Sequence, residues 1–285
     1  MTLSIIIVSW NVKELLKKCL ESIAKLQGDL DLEVIVVDNN SADGTAEQLD
    51  GGSFAPLRMT MIKNERNLGF AKANNLGIKI AKGRYILLLN PDTKVIAGTL
   101  LKVIKFMAAH SDCGVASCKH LNPDSTIQPS VRNFPTLWSQ FLILYKIHHL
   151  LPNLKVFQRY FSKDFNYQKT QPVEQVPGSF MLIRREVIEK IGGLDEKFYL
   201  WFEDVDYCFR AKKAGFKVWY VAEAAIIHYG GQSFAQKLTA EKQKIFNRSM
   251  RYYFKKHHGF WPWLILLTAH FDSLFLAWLG EKLRK

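Results

Sequence analysis

The chain has 285 residues, enough for one large α/β domain with a full core or for two small ones. With 48% hydrophobic and 23% charged residues and no low-complexity tract, its composition is that of a globular protein. A formal net charge of +13 favours an anionic partner such as nucleotide phosphate, nucleic acid or anionic lipid. The four cysteines (Cys19, Cys113, Cys118, Cys208) form no CxxC pair, which argues against structural zinc and suits free thiols in a reducing compartment.

The opening "MTLSIIIVSWN" lacks a basic n-region, and its apolar run is short and β-branched. It reads as a buried strand over 4–10 rather than a signal peptide. Helical periodicity follows over 12–26, with Leu15, Leu16, Cys19, Leu20 and Ile23 on one face. A strand is predicted at 32–39, a turn at 41–44 with a short helix after it, and a strand at 57–64. A helix at 69–83 closed by Gly83, a strand at 84–90 and a helix at 98–110 complete the first 120 residues. Continuous apolar strands alternating with helices predict a Rossmann-like, mostly parallel sheet with helices on both faces. In such a sheet the ligand sits beyond the carboxyl ends of the strands. Those ends carry Ser9, Trp10 and Asn11, then Asp38, Asn39 and Asn40, then Asn90, Pro91 and Asp92. Neither GxGxxG nor GxxxxGK[ST] follows the first strand, which disfavours a nicotinamide dehydrogenase or a P-loop NTPase.

Residues 121–175 are irregular, aromatic and basic. A strand and a helix stopped by Gly192-Gly193 follow, then "WFEDVDYCFRAKKAG" and a strand at 216–221. The pattern divides the chain into 1–235, with a nucleotide-binding part (1–120) and an acceptor-binding part (121–235), and a basic, aromatic helical extension, 236–285. Residues 259–280 are long enough to span a bilayer. His270 and Asp272 stand mid-segment, and a central Asp costs roughly 2.5–3.5 kcal/mol on insertion scales. Trp261, Pro262 and Trp263 after Lys255-Lys256 therefore read as an interfacial anchor, an in-plane amphipathic helix on an anionic membrane surface. The alternative is a helix packed on the domain or on a second copy in a homo-oligomer. From 237 to 285 there are ten Lys/Arg against three Asp/Glu beside this Trp-rich tail, a distribution that suits lipid better than nucleic acid.

Several carboxylates have both a structural and a chemical reading. Asp92, two residues past Asn90, can coordinate a hard divalent cation or simply complete an Asn-Pro-Asp turn. Asp38 can accept from the N–H edge of a base or make an Asx-turn. His228 becomes a metal-ligand candidate only if the chain brings it beside Asp92. In the helix from 204 to 215, Asp204 is placed to cap, Asp206 and Arg210 stand at i and i+4, and Gly215 is the stop. Capping does not account for Glu203, nor for the aromatics Tyr199, Trp201 and Phe202, which together with the acids suggest a sugar-binding wall with a general base.

Taken in order, "SIIIVSWN", "VVDNNSADGT", "NERNLGFAKANNLGI", "LLLNPDT", "GSFMLIRREV", "GGLDEKFYLWFEDVDYCFRAKKAGF" and "HYGGQS" resemble the family 2 glycosyltransferases of the GT-A fold, most closely their bacterial rhamnosyltransferase-like branch. The resemblance implies a nucleotide-diphosphate-sugar donor and inverting transfer. It implies that Ser9, Trp10, Asn11 and Asp38 hold base and ribose, and that Asn67, Gly69, Phe70, Asn74 and Asn90 line the donor side. Asp92 stands where the family's DxD ends, and its first acid is here Asn90. That leaves Asp92 and His228 as candidate ligands for Mg²⁺ or Mn²⁺. Glu203-Asp204 matches the family's "ED" element, whose Asp is the usual base. The branch points to dTDP-rhamnose, with a UDP-hexose or UDP-N-acetylhexosamine next. The implied acceptor is a surface glycan, either free or on polyprenyl diphosphate, at the cytoplasmic face of the membrane. A basic nucleic-acid-binding protein, a nucleotidyltransferase and a catalytically dead sugar-binding subunit are the rival readings, and the intact Glu203-Asp204 pair argues against the last.

Overall fold

The computed structural model describes residues 1–26, 30–50, 57–230 and 239–282. The expected apolar runs are strands β1 (Leu3–Ser9), β2 (Leu32–Asp38) and β4 (Tyr85–Leu89), and they form the parallel heart of the sheet. The half-buried β3 (Met59–Lys63) lies at the edge. The order is β3-β2-β1-β4-β8-β6-β9-β5, with β7 (Gln171–Val173) also paired to β9. β8 (Phe180–Arg184) runs antiparallel between β4 and β6 (Cys113–Leu121), and β9 (Lys217–His228) returns parallel to β6.

Side chains alternate across the strands, so one face carries Leu3, Ile5 and Ile7 and the other carries Ile6. Helices α1 (Lys13–Ala24) and α4 (Thr99–Ala109) cover the first face with Leu16, Cys19, Leu20, Val103 and Met107. The second face is covered by α3 (Phe70–Ile80), α8 (Arg185–Ile191) and α9 (Glu203–Lys213), through Ala71, Val187, Tyr207, Cys208 and Ala211. The short α2 (Thr45–Asp50) follows the predicted turn.

Two features of the topology bear on the site. β9 runs seven residues beyond its predicted end at 221, and its last residues pair antiparallel with β5 (Thr93–Val95), with Thr93 opposite His228. One sheet also runs from β1 to β9, so the two parts that the sequence pattern divides at residue 120 share it. The boundary at 235 lies outside the described residues.

The segment read as irregular contains α5 (Leu137–Leu144), α6 (Ile147–Leu150) and α7 (Lys155–Tyr160). Thr136 and Ser139 close a capping box on α5. Helices α10 (Thr239–His258) and α11 (Phe260–Lys282) make a third core with this segment and with the start of α9: Leu144, Phe198, Phe202, Val205, Met250, Tyr253, Phe254, Leu266 and Ala269.

The tail differs from the amphipathic helix expected of it. Leu266, Ala269, Ser273 and Ala277 of α11 pack inward, while Trp261, Ile265, Phe271, Phe275, Trp278 and Leu279 stand exposed on the outer side. Both sides are thus largely apolar. The mid-segment polar groups are satisfied by the domain: Tyr145 Oη donates to Asp272 at 2.7 Å, and the Asn247 amide donates to Ser273 Oγ at 2.6 Å and His270 Nδ1 at 3.0 Å. Phe260–Leu279 is long and apolar enough to cross a membrane, with a mean hydropathy of 1.4.

Candidate active site

A cleft of ≈ 400 Å³ opens beyond the carboxyl end of the sheet. Of the residues singled out from the sequence, Phe70, Asn90, Glu203, Asp204 and His228 line it. Each arrives by a different route.

The Asn90–Thr93 turn is closed by Thr93 Oγ1 donating to the Asn90 carbonyl at 2.7 Å, and the Asn90 backbone N–H donates to Ser179 O at 3.1 Å. The turn reading of this motif is therefore correct. The same turn buries Asp92 to 4% exposure, and the β5–β9 pairing sets its Oδ1 3.4 Å from His228 Nε2. Gln128 fixes the imidazole: its amide nitrogen donates to Asn122 Oδ1 and His228 O, so its oxygen must accept from His228 Nδ1 at 2.7 Å. Nε2 of His228 is buried and without a hydrogen bond and faces Asp92 Oδ1. With no proton on Nε2 the two atoms can hold a cation between them, and with one they form an ion pair. Their spacing is close to the ~3 Å between neighbouring ligand atoms on an ion with bonds near 2.1 Å. No group of three or more His, Cys, Asp or Glu side chains is arranged to hold a metal ion among the described residues. A cation here would draw its remaining ligands from phosphate and water, as Mg²⁺ commonly does.

His120 stands beside this pair, its ring 5.7 Å from that of His228. Burial, reinforced by His228, pushes its pKa down to about 3. Its Nδ1 faces the Cys118 carbonyl at 3.0 Å and must carry the proton, so Nε2 accepts from Ser179 Oγ at 2.9 Å. Ser179, from the "GSFMLIRREV" motif, also lines the cleft. His120, Gln128 and Arg132 line it without having been singled out from sequence, because they sit on a strand and a loop whose patterns carry no signal.

Opposite lies the start of α9. Its N-cap is Phe202, so Asp204 is not the cap expected of it. Trp201 and Phe202 both adopt left-handed φ, 64° and 67°. Such a conformation is strained for L-residues by roughly 1–3 kcal/mol each. The twist sends Phe202 into the third core and presents Glu203 and Asp204 to the cleft. Asp204 Oδ2 accepts from Gly178 N at 3.1 Å and Oδ1 from Val205 N at 2.8 Å. Burial pushes its pKa up, and these two N–H groups and the charge of Arg132 oppose the rise. Glu203 is pushed well above the ordinary range by burial and by the charge of Asp204, and its Oε2 has no hydrogen bond. Both acids are raised, Glu203 the more strongly, so a proton held by the pair favours Glu203 and the negative charge favours Asp204.

Asp206 does pair with Arg210 as expected, Nε to Oδ2 at 2.8 Å. It also takes Lys256 Nζ at 2.6 Å and His257 Nε2 at 2.7 Å from α10. Burial disfavours its charge, but the contacts from His257, Lys256 and Arg210 outweigh that and hold it below the ordinary range. Asp206 therefore ties α9 to the extension.

The remaining sequence candidates lie along the sheet edge outside this cleft. Ser9 and Asp38 are register partners on β1 and β2, and Ser9 Oγ and Asp38 Oδ1 are both buried without a hydrogen bond among the described residues. Asp38 Oδ2 accepts from Ser41 N at 3.1 Å, and Asn11, at φ 52°, accepts from Ala42 N at 2.7 Å, so the Asx-type reading also applies. Trp10 follows on the same edge, half-buried. Asn67 Oδ1 accepts from Gly69 N at 2.9 Å. Gly69 has φ 82°, and a Cβ there would lie 2.4 Å from Tyr199 O. Tyr199 therefore packs on the α3 start and does not line the cleft with Trp201. Asn74 is 1% exposed beneath that turn and donates to Phe70 O at 2.9 Å.

The fold and this site define a nucleotide-sugar-dependent transferase. The family model "Glycosyl transferase family 2" matches residues 4–192, and the chain belongs to that family. It is a glycosyltransferase. It is similar to rhamnosyltransferase WbbL of Escherichia coli, with 26% identity over 88% of this chain and 89% of the relative. It is likewise similar to N-acetylglucosaminyl-diphospho-decaprenol L-rhamnosyltransferase of Mycobacterium tuberculosis, with 23% identity over 91% and 86%. An uncharacterised protein of Sinorhizobium fredii is 26% identical over 87% of this chain, which spans only 27% of that longer protein. Among solved structures, the mannosyltransferase PcManGT of Pyrobaculum calidifontis, in complex with GDP-Man and Mn²⁺, superposes with a TM-score of 0.61 at 17% identity, covering 98% of this chain and 74% of its own. That likeness establishes the GT-A fold.

Proposed function

We propose that the protein is an inverting glycosyltransferase that moves a sugar, with dTDP-rhamnose as first candidate donor, to a surface-glycan precursor on polyprenyl diphosphate. The observation that carries this is a single cleft flanked by the Glu203–Asp204 pair on one side and the Asp92–His228 pair on the other. Asp204 takes the proton from an acceptor hydroxyl, and its raised pKa suits a base working near neutrality. The freed oxygen attacks the anomeric carbon on the face opposite the diphosphate, and the nucleoside diphosphate leaves. Phe70 and Trp201 supply aromatic walls for the sugars, and Arg132 adds positive charge. Asp92 and His228 would hold a divalent cation, Mg²⁺ or Mn²⁺, whose chemistry is to neutralise charge on the diphosphate. Ser9 Oγ and Asp38 Oδ1 are free to take hydrogen bonds from the base or ribose.

We place the enzyme at the cytoplasmic membrane face. The exposed side of α11 supplies the apolar contact, and the hydrogen bonds from Tyr145 to Asp272 and from Asn247 to Ser273 favour lying against α5 and α10 over crossing. The alternative donor is a UDP-hexose or UDP-N-acetylhexosamine. A panel of nucleotide sugars tested by thermal shift with Mg²⁺ or Mn²⁺ decides between them, since a ligand that binds only the folded state raises its melting temperature. A panel in which none stabilises the fold refutes the donor assignment.

A further inference from the structure

A second groove, ≈ 350 Å³, lies beside the catalytic cleft, and the two share Tyr160 as a wall. Its floor and sides are Phe134, Trp138, Val156 and Tyr160, and its polar groups are Thr136, Lys155 and Arg159. No carboxylate or amide side chain lines it, so a sugar, which needs several hydrogen-bond partners, finds few here. Lys155 and Arg159 are exposed and make no ion pair with any described residue. Arg132, a third cation, lines the catalytic cleft and lies over the rings of Tyr160 and Phe161, at 5.9 Å and 5.4 Å.

The groove also continues into the most apolar exposed surface of the molecule. Of the large hydrophobics that stand exposed among the described residues, all except Met1, Ile80 and Ile127 lie on α11 or between Trp138 and Leu154. α11 packs directly on α5, which carries Trp138.

We infer that this groove binds the lipid diphosphate of the acceptor: Arg132, Lys155 and Arg159 take the diphosphate, and Phe134, Trp138, Val156 and Tyr160 take the first isoprene units. The inference rests on the lipid-linked acceptor proposed above. Charge and apolarity match an anionic head joined to a hydrocarbon chain. The position also fits, because the acceptor sugar next to the diphosphate would reach from Arg132 into the cleft that holds Asp204. The rest of the chain would pass along Trp138 toward the bilayer that α11 faces.

The test uses the full chain and farnesyl diphosphate in detergent micelles as probe, with farnesol, inorganic diphosphate and anionic vesicles free of prenyl lipid as controls. Wild type binds farnesyl diphosphate at least about tenfold more tightly than either farnesol or inorganic diphosphate. The double variant K155E/R159E loses about tenfold or more of that binding, and Trp138→Ala loses several-fold. Binding of a nucleoside diphosphate stays unchanged in both and reports an intact fold. K155Q/R159Q replaces the charge reversal if that report fails. Equal binding by wild type and the double variant overturns the inference. So does wild-type binding that inorganic diphosphate or prenyl-free vesicles reproduce. Sugar transfer separates this from failure of the underlying reading. A wild type that glycosylates only lipid-free glycans refutes the lipid-linked acceptor, whereas full transfer to a lipid-linked acceptor by K155E/R159E refutes the groove alone.

Discussion

Replacing either acid of the Glu203–Asp204 pair by its amide should have opposite consequences, although the two residues are adjacent. At 203 the amide imitates the protonated form that burial and the neighbouring charge favour. At 204 it removes the base. General-base catalysis contributes about 10²–10⁴-fold, so Asp204→Asn should raise the barrier by about 3–5 kcal/mol. It also faces one of the N–H groups of Gly178 and Val205 with an NH₂, a local loss of about 1–3 kcal/mol. The assay is single-turnover release of nucleoside diphosphate from a nucleotide sugar and acceptor, with donor binding measured separately. Asp204→Asn should bind donor within about twofold of wild type and fall by at least about 10² in rate. Glu203→Gln should stay within about tenfold. It should also raise the melting temperature at neutral pH. A carboxyl whose folded pKa is raised binds a proton in the native state that the unfolded chain does not hold, so stability declines as pH rises from the ordinary glutamate value toward the folded one. The amide abolishes that decline. A Glu203→Gln enzyme as inactive as Asp204→Asn, with donor binding retained, would refute this division of roles.

Three further outcomes follow from contacts elsewhere. Asp92→Ala and His228→Ala should each weaken nucleoside-diphosphate binding in the presence of Mn²⁺ and leave metal-free binding unchanged; titration with and without EDTA reads this, and identical curves would remove both residues from the cation site. Asp206→Ala leaves Arg210, Lys256 and His257 without their shared carboxylate and should destabilise the fold by about 3–5 kcal/mol, measured by urea unfolding near pH 7. Because the folded pKa of Asp206 is lowered, wild-type stability from this contact is present above the ordinary aspartate value and fades as pH falls through the folded one, and the variant should lack that fade. On the exposed side of α11, Phe271→Lys with Phe275→Lys should abolish sedimentation with anionic vesicles without altering the melting temperature. Removing the whole helix is a poorer test, because it would uncover Met250, Tyr253 and Phe254 at about 1.5–3 kcal/mol each.

Much of the fold is local in origin and was legible in the sequence. β1, β2 and β4 announce themselves as unbroken apolar runs because a parallel sheet buries both faces. Their carboxyl ends then place Ser9, Asp38 and Asn90 along one edge before any contact is known. Ordered motifs carried the family. The strands β5 and β6 were not legible, because "TKV" and "CGVASCKHL" are short or mixed and acquire strand geometry from their partners.

What tertiary structure alone decided is which reading each acid takes. Asp92 and His228 are far apart in the chain, and their pairing exists because β9 extends to meet β5. The N-cap expected at Asp204 belongs to Phe202, whose left-handed backbone is set by packing in the third core and frees the two acids for the cleft. Asp206 looked like a local partner of Arg210, yet two of its three partners come from α10. The tail's composition left spanning, surface and packed helices open. Packing against α5 and α10 gave Asp272, His270 and Ser273 hydrogen-bond partners and left an apolar side outward. Periodicity is a property of neighbours along the chain, whereas a carboxylate's charge depends on what the fold brings within a few ångströms of it.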